Sequence, residues 1–260
     1  MTGVPYDEIG MILPLAIVSV LLVAALALSR ARGIGLEKEM VKAMLKGSFQ
    51  LFALSLFLTY LFSSPWWHIL TWLLIISMAL LAGAISAGRA GGLPKAYRIT
   101  TPSILLGSTT VLVVLYLSGA MPPEPYFIIP LGGMIFGNSM NICSLTLERL
   151  AREIKLNSEQ VETMLILGAS PREASAPFVR GSVRSALIPT VDNLRTLGII
   201  FIPGAMAGLM MAGTPPLVAA AYQLIVFLMI VGGGMITALT ASHLASKEMF
   251  TGDHRLADWI

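Results

Sequence analysis

No charged residue lies between Glu8 and Arg30, or between Lys46 and Arg89. Runs of that length exceed the roughly 20 apolar residues a helix needs to cross a bilayer. Polar positions gather instead in short clusters, and these divide the chain into apolar spans. Span one is expected over Ile9 to Ser29 and span two over Ser48 to Phe62. Between them, Gly35 to Gly47 spaces Leu36, Met40 and Met44 by four, with Lys38, Lys42 and Lys46 on other faces, as in a basic amphipathic turn at a membrane surface. Ser63-Ser64-Pro65 breaks span two, and Trp66 and Trp67 mark an interface. Span three is expected over Ile69 to Ala87, span four over Thr101 to Leu117 and span five over Tyr126 to Leu147. Span six starts between Leu187 and Thr196 and ends near Ala212; span seven covers Leu217 to Ala245 after Thr214-Pro215-Pro216.

Lipid leaves backbone polar groups no partner outside helices or closed barrels, and the ten-residue alternation of a barrel is absent from the sequence. The expected fold is therefore an all-α integral membrane protein of seven transmembrane helices, a single domain over residues 1–260. Composition agrees: 12% of residues are charged, about half the usual share of a soluble domain, and mean hydropathy is +0.81.

Charge then orients the spans. Residues 30–46, 89–98, 148–185 and the tail hold every Lys and Arg except Arg195. The opposite loops carry only Asp7, Glu8 and Glu124. The positive-inside rule predicts an outside N-terminus and a cytoplasmic C-terminus, in the cell (inner or plasma) membrane. Basic residues spread over short loops are topology signals, so no nucleic-acid partner is expected and the lipid bilayer is the medium. The N-terminus has no basic n-region, so the first run reads as a retained span. The single Cys143 excludes an internal disulfide and a Cys-only metal site in one chain.

The longest charged stretch, Asn157 to Pro189, reads as two helices meeting at an elbow. Asn157 with Gln160 forms a capping-box-like start. Gly168 supplies a left-handed stop. Ser170-Pro171-Arg172-Glu173 restarts a helix, with serine as N-cap, proline first and glutamate third. Val161, Met164, Leu165 and Gly168 fall on one stripe of the first helix, suited to a groove on a partner.

Candidate chemistry is sparse. The sequence holds no phosphate-binding loop, no H-E-x-x-H and no G-x-S-x-G, and its three histidines are far apart. An enzyme is not expected, and the identity of any metal is left unknown. Span five is the most polar, with Gly133, Gly137 and Asn141 on one face beside Asn138 and Met140. Two readings stand: tight packing by small residues, or a polar wall of a translocation path. In span six, Asp192 and Arg195 form an interfacial ion pair, or else Asp192 is part of a gate or cation site. Methionines such as Met140 and Met206 are either apolar filler or a path for soft ions.

The segment Glu162-Thr-Met-Leu-Ile-Leu-Gly168-Ala-Ser-Pro171 resembles the EAA-type loop of ABC-transporter permeases, although Thr163 and Met164 stand where that pattern has alanines. More closely, LEKEMVKAML, PLGGMIFGNSMN and LGASPREASAPFVRGSVRSALIPTVDNLRTLG resemble the Fet-type permeases, which include bacterial proteins assigned to iron export and plant aluminium-tolerance permeases. The resemblance runs from about Leu36 to the end of span seven. It implies a permease domain whose cytoplasmic coupling loop, 148–186, carries a short coupling helix between spans five and six. A separate cytoplasmic ABC ATPase, which binds the ATP and Mg, would dock on residues 157–173 through Val161, Glu162, Met164, Leu165, Gly168, Ala169, Ser170 and Pro171. This chain would hold no cofactor and would act as a homodimer. Iron or a related metal would be exported along Gly137, Asn138, Met140, Asn141, Asp192, Asn193 and Met206. The alternatives are a permease for an organic solute such as a nucleotide sugar, or a non-transporting scaffold or receptor.

Overall fold

A computed structural model describes residues 12–253, 255–257 and 259–260. Asp7 and Glu8, the start of span one and His254 lie outside the described residues. Among those described, the chain is helical: α1 (Ile12–Ala31), α2 (Glu37–Ser63), α3 (Trp67–Gly88), α4 (Tyr97–Leu117), α5 (Pro125–Leu156), α6 (Ser158–Ile166), α7 (Pro171–Thr196), α8 (Gly204–Met211) and α9 (Pro216–Glu248). Six of these, α1–α5 and α9, are long and apolar enough to cross a membrane. The chain divides into two compact units, one ending at Pro65 and one beginning at Trp66.

In the first unit, α1 packs on α2. Their apolar side chains stay largely exposed, Leu21 at 71% and Phe49 at 75%, as suits surfaces whose solvent is lipid. The Ser29 hydroxyl donates to Glu37 Oε1 at 2.7 Å, closing the turn between the two helices.

In the second unit, α5 and α9 are central. Each packs on α4 and α7, and they pack on each other, while α3 lies against α4 and α5. Ile135, Leu147, Leu150 and Ile154 line the buried face of α5 and meet Ile104, Ala241 and Ala245. Where helices approach most closely, glycine is required. A Cβ on Gly107 of α4 would collide with the Thr237 hydroxyl and sit 2.6 Å from the Gly233 carbonyl of α9. One on Gly132 of α5 would sit 2.6 Å from Ile75 Cδ1. Hydroxyls cross-link the same interfaces: Ser108 donates to Ser139 (3.2 Å), Ser144 to Ser86 (3.1 Å) and Thr100 to the Gly83 carbonyl (2.8 Å). Small residues and hydroxyls are what close packing between apolar helices requires.

Two expectations are corrected. The helix of span five does not end at Leu147: α5 has 32 residues, so the loop begun at Glu148-Arg149 is its last turns. At 1.5 Å per residue the helix is about 48 Å long, well beyond a hydrocarbon core of roughly 30 Å. Span six is not one helix. The charged helix α7 continues to Thr196, the chain unwinds through 197–203, and the eight-residue α8 follows. Gly198, at φ +77°, and Pro203, the N-cap of α8, impose the break. The start of α8 is pinned by a buried side chain, Gln223 of α9, whose Oε1 accepts from the Met206 N–H at 3.2 Å.

Candidate functional site: an elbow and a polar cleft

The elbow takes its form from local chemistry. Gly168 has φ +94°, where a side chain is strained. Its N–H donates to the Leu165 carbonyl (3.0 Å) and the Ala169 N–H to that of Met164 (2.9 Å), the paired bonds of a Schellman stop. Immediately afterwards Ser170 and Glu173 form a reciprocal capping box with Pro171 at the first helical position. Asn157 behaves otherwise than expected. Its amide donates to the Glu153 carbonyl at 2.7 Å, and it makes no side-chain cap bond to α6. The reason is α5, which extends to Leu156 and uses Asn157 as its own C-cap.

The stripe expected to face a partner is divided. Val161 is fully buried within its own chain, whereas Met164, Leu165, Ala169, Ser170 and Pro171 are half-buried and Glu162 and Gly168 exposed. The apolar pair that α6 presents outward is Ile166 and Leu167, 85% and 81% exposed. Sequence reasoning missed this pair, although two large apolar residues directly before a glycine stop were a visible signal.

Beyond the elbow, α7 packs on α5 and α9 through Val183, Ala186 and Leu187 against Ile142 and Ala238. Beside this contact lies a cleft of about 460 Å3 between α5 and α7, lined among others by Asn138, Asn141, Glu148, Thr190, Asn193 and Arg89. Three of the expected path residues, Asn138, Asn141 and Asn193, thus come together. Asn138 donates to the Met134 carbonyl at 2.8 Å, while Asn141 and Asn193 make no side-chain hydrogen bond among the described residues. Their free amides give the wall both donors and acceptors.

The other expected path residues lie elsewhere. Gly137 and Met140 are half-buried on α5 but do not line the cleft, and Met140 packs against the core. Asp192 lies in a separate groove of about 680 Å3 between α7 and α9, and accepts from Arg195 Nη1 at 3.2 Å. Met206 sits on α8. Nor do Gly133 and Gly137 pack tightly within this chain, since nothing lies within 4 Å of a Cβ at either.

Arg89 and Glu148 supply charge to the cleft that the sequence had not singled out. Glu148 Oε1 accepts from Arg152 Nη2 at 3.2 Å and also lines an adjoining cavity of about 600 Å3 with Arg149, Glu153 and Ser182. Among the described residues, no three His, Cys, Asp or Glu side chains gather as a metal cage.

A family model described as the uncharacterised protein family UPF0014 matches residues 12–250. The chain belongs to the UPF0014 family. Its relatives include the rice (Oryza sativa subsp. japonica) UPF0014 membrane protein STAR2, 36% identical over 254 residues, covering 97% of this chain and 88% of the relative. Protein ALUMINUM SENSITIVE 3 of Arabidopsis thaliana is 33% identical, covering 95% of this chain and 90% of that one. The probable iron export permease protein FetB of Escherichia coli K12 is also 33% identical, covering 93% of each chain. No solved structure matches the chain. This UPF0014 protein is a multi-pass protein of the plasma membrane, and its relatives include a probable iron export permease.

Proposed function

We propose that this protein is the membrane subunit of an ABC transporter that exports iron or a related metal as a homodimer, driven by a separate cytoplasmic ATPase docked on α6. The observation that carries the reading is continuity. The Schellman stop and capping box join α6 rigidly to α7, and α7 is one wall of the Asn138–Asn141–Asn193 cleft. Force delivered to α6 therefore reaches the cleft without crossing a flexible segment, as conversion of ATPase closure into helix movement requires. Exposed Ile166 and Leu167 are the apolar anchors for the ATPase groove. The iron export for which the bacterial relative is named supplies the cargo class.

In this reading the elbow is cytoplasmic, the N-terminus is outside and the chain crosses seven times. Ser170 and Arg172 at the start of α7 line one pocket with His243 and Lys247 at the end of α9, so these two ends lie together. Since α9 crosses, the path from Pro171 through α8 to Thr214 must cross in the opposite sense. The unwound residues 197–203 are tolerated at membrane depth where protein or a water-filled cavity covers them.

The test is reconstitution of the chain with its ATPase in liposomes, following ATP hydrolysis and metal flux together under a screen of solutes. Iron(II)-stimulated hydrolysis with matching export is expected. ATPase binding with no stimulation by any metal would overturn the assignment.

A further inference from the structure

The pocket that joins the start of α7 to the end of α9 has a chemistry of its own. It encloses about 520 Å3, and Arg172, His243 and Lys247 line it together with Ser170, Ser246 and Thr251. His243 and Lys247 are four residues apart on α9, hence on one helix face. The three hydroxyl protons are committed elsewhere: Ser170 donates to Glu173 Oε2, Ser246 to the His243 carbonyl and Thr251 to the Arg255 carbonyl. The basic groups are not. Neither the Arg172 guanidinium nor the Lys247 ammonium has an ion pair or hydrogen bond among the described residues, whereas Arg152 and Arg195 are each paired with a carboxylate. Among the described residues, no carboxylate lines the pocket. The neighbouring Glu173 is held in its capping box, and Glu248 and Asp253 are exposed outside the lining.

Uncompensated cations converging on a concave site call for a compact anion with several acceptor oxygens. We propose that this pocket binds a phosphoryl anion, bridging the start of α7 and the end of α9. Two sources share that chemistry: the headgroup of an anionic phospholipid and free phosphate. Lys247 lies in the last turn of α9, a helix long and apolar enough to span, so a headgroup at the end of that span is one source to test. A bound phosphoryl group would tie the elbow to α9, a role independent of the cargo and of ATP hydrolysis.

The test uses the full chain in phosphatidylcholine nanodiscs, with thermal midpoint and native mass spectrometry as readouts. Phosphatidylglycerol and inorganic phosphate are titrated separately. Wild type is expected to retain one phosphatidylglycerol, or to gain a saturable rise in midpoint with phosphate; which probe acts identifies the source. Arg172→Gln and Lys247→Gln should each weaken that binding about fivefold. Arg180→Gln and Arg184→Gln each remove the same single charge outside the pocket and should leave binding unchanged. Equal weakening by both sets, or no saturable binding of either probe to wild type, would overturn the proposal. Lys247→Gln, on an exposed side chain, guards against loss of fold at the elbow.

Discussion

Ser170 and Glu173 hold each other. The Ser170 N–H and hydroxyl both donate to Glu173 Oε2, at 2.8 and 2.7 Å, while the Glu173 N–H donates back to Ser170 Oγ at 3.3 Å. These bonds favour the ionised carboxyl and hold Glu173 below its ordinary value of 4.5. A lowered folded pKa contributes stability that is present above 4.5 and is lost as pH falls through the lower folded value. Protection against hydrogen exchange at the first turn of α7, relative to the intrinsic rate at each pH, should therefore fall below about pH 4.5, and Glu173→Gln should abolish that step. Ser170→Ala should loosen the same turn at all pH values, by about 1 kcal/mol.

Glycines in the spans separate into two kinds. Gly107→Ala drives a methyl into α9 backbone and should destabilise the fold by about 3 kcal/mol, the upper end for overpacking. Gly137→Ala meets nothing within 4 Å and should leave the detergent melting temperature unchanged. Thermal unfolding of the two purified variants checks the contrast.

The amide wall of the cleft should matter to flux more than to folding. Asn141 is exposed and makes no side-chain bond, so Asn141→Leu should express at wild-type level yet lose transport at least tenfold. Asn138→Leu should behave alike, since its one bond, to the Met134 carbonyl, lies within its own helix. Parallel loss of expression and flux would instead make these amides packing groups.

Crossing number is open to direct measurement. The native Cys143 is fully buried, so engineered cysteines report alone. Thr214→Cys should react with an impermeant maleimide from outside, and Glu159→Cys only after permeabilisation. Reaction of both from the same side would remove the crossing assigned to α7 and α8.

Legibility in the sequence followed the range of the interactions. The elbow was readable because its determinants are local: Gly168 acts on the two carbonyls before it, and Ser170 on a residue three along. Asn157 was misread for an equally local reason. The charges from Glu148 onward resemble a loop, but they decorate a helix that continues nine residues past Leu147 and claims Asn157 as its end. The cleft was half legible. Asn138 and Asn141 share one helix, but Arg89 lines the same cleft as Glu148 only because α3 packs on α5, and no spacing encodes that. Asp192 and Asn193 are adjacent in sequence yet line different cavities, because successive residues on a helix point about 100° apart. Which glycines pack closely depended likewise on the facing helix, so Gly107 and Gly132 carry contacts that Gly133 and Gly137 do not.

The central claim is that the elbow transmits force, and Gly168 tests it most directly. Gly168→Ala places a side chain in left-handed backbone, a strain of about 1–2 kcal/mol, and should reduce coupling partially. Gly168→Pro forbids φ +94° outright and removes the N–H that bonds Leu165. In liposomes with the ATPase bound, Gly168→Pro should insert normally but lose both iron-stimulated ATP hydrolysis and iron export. Wild-type export by that variant, with its ATPase demonstrably bound, would contradict the account.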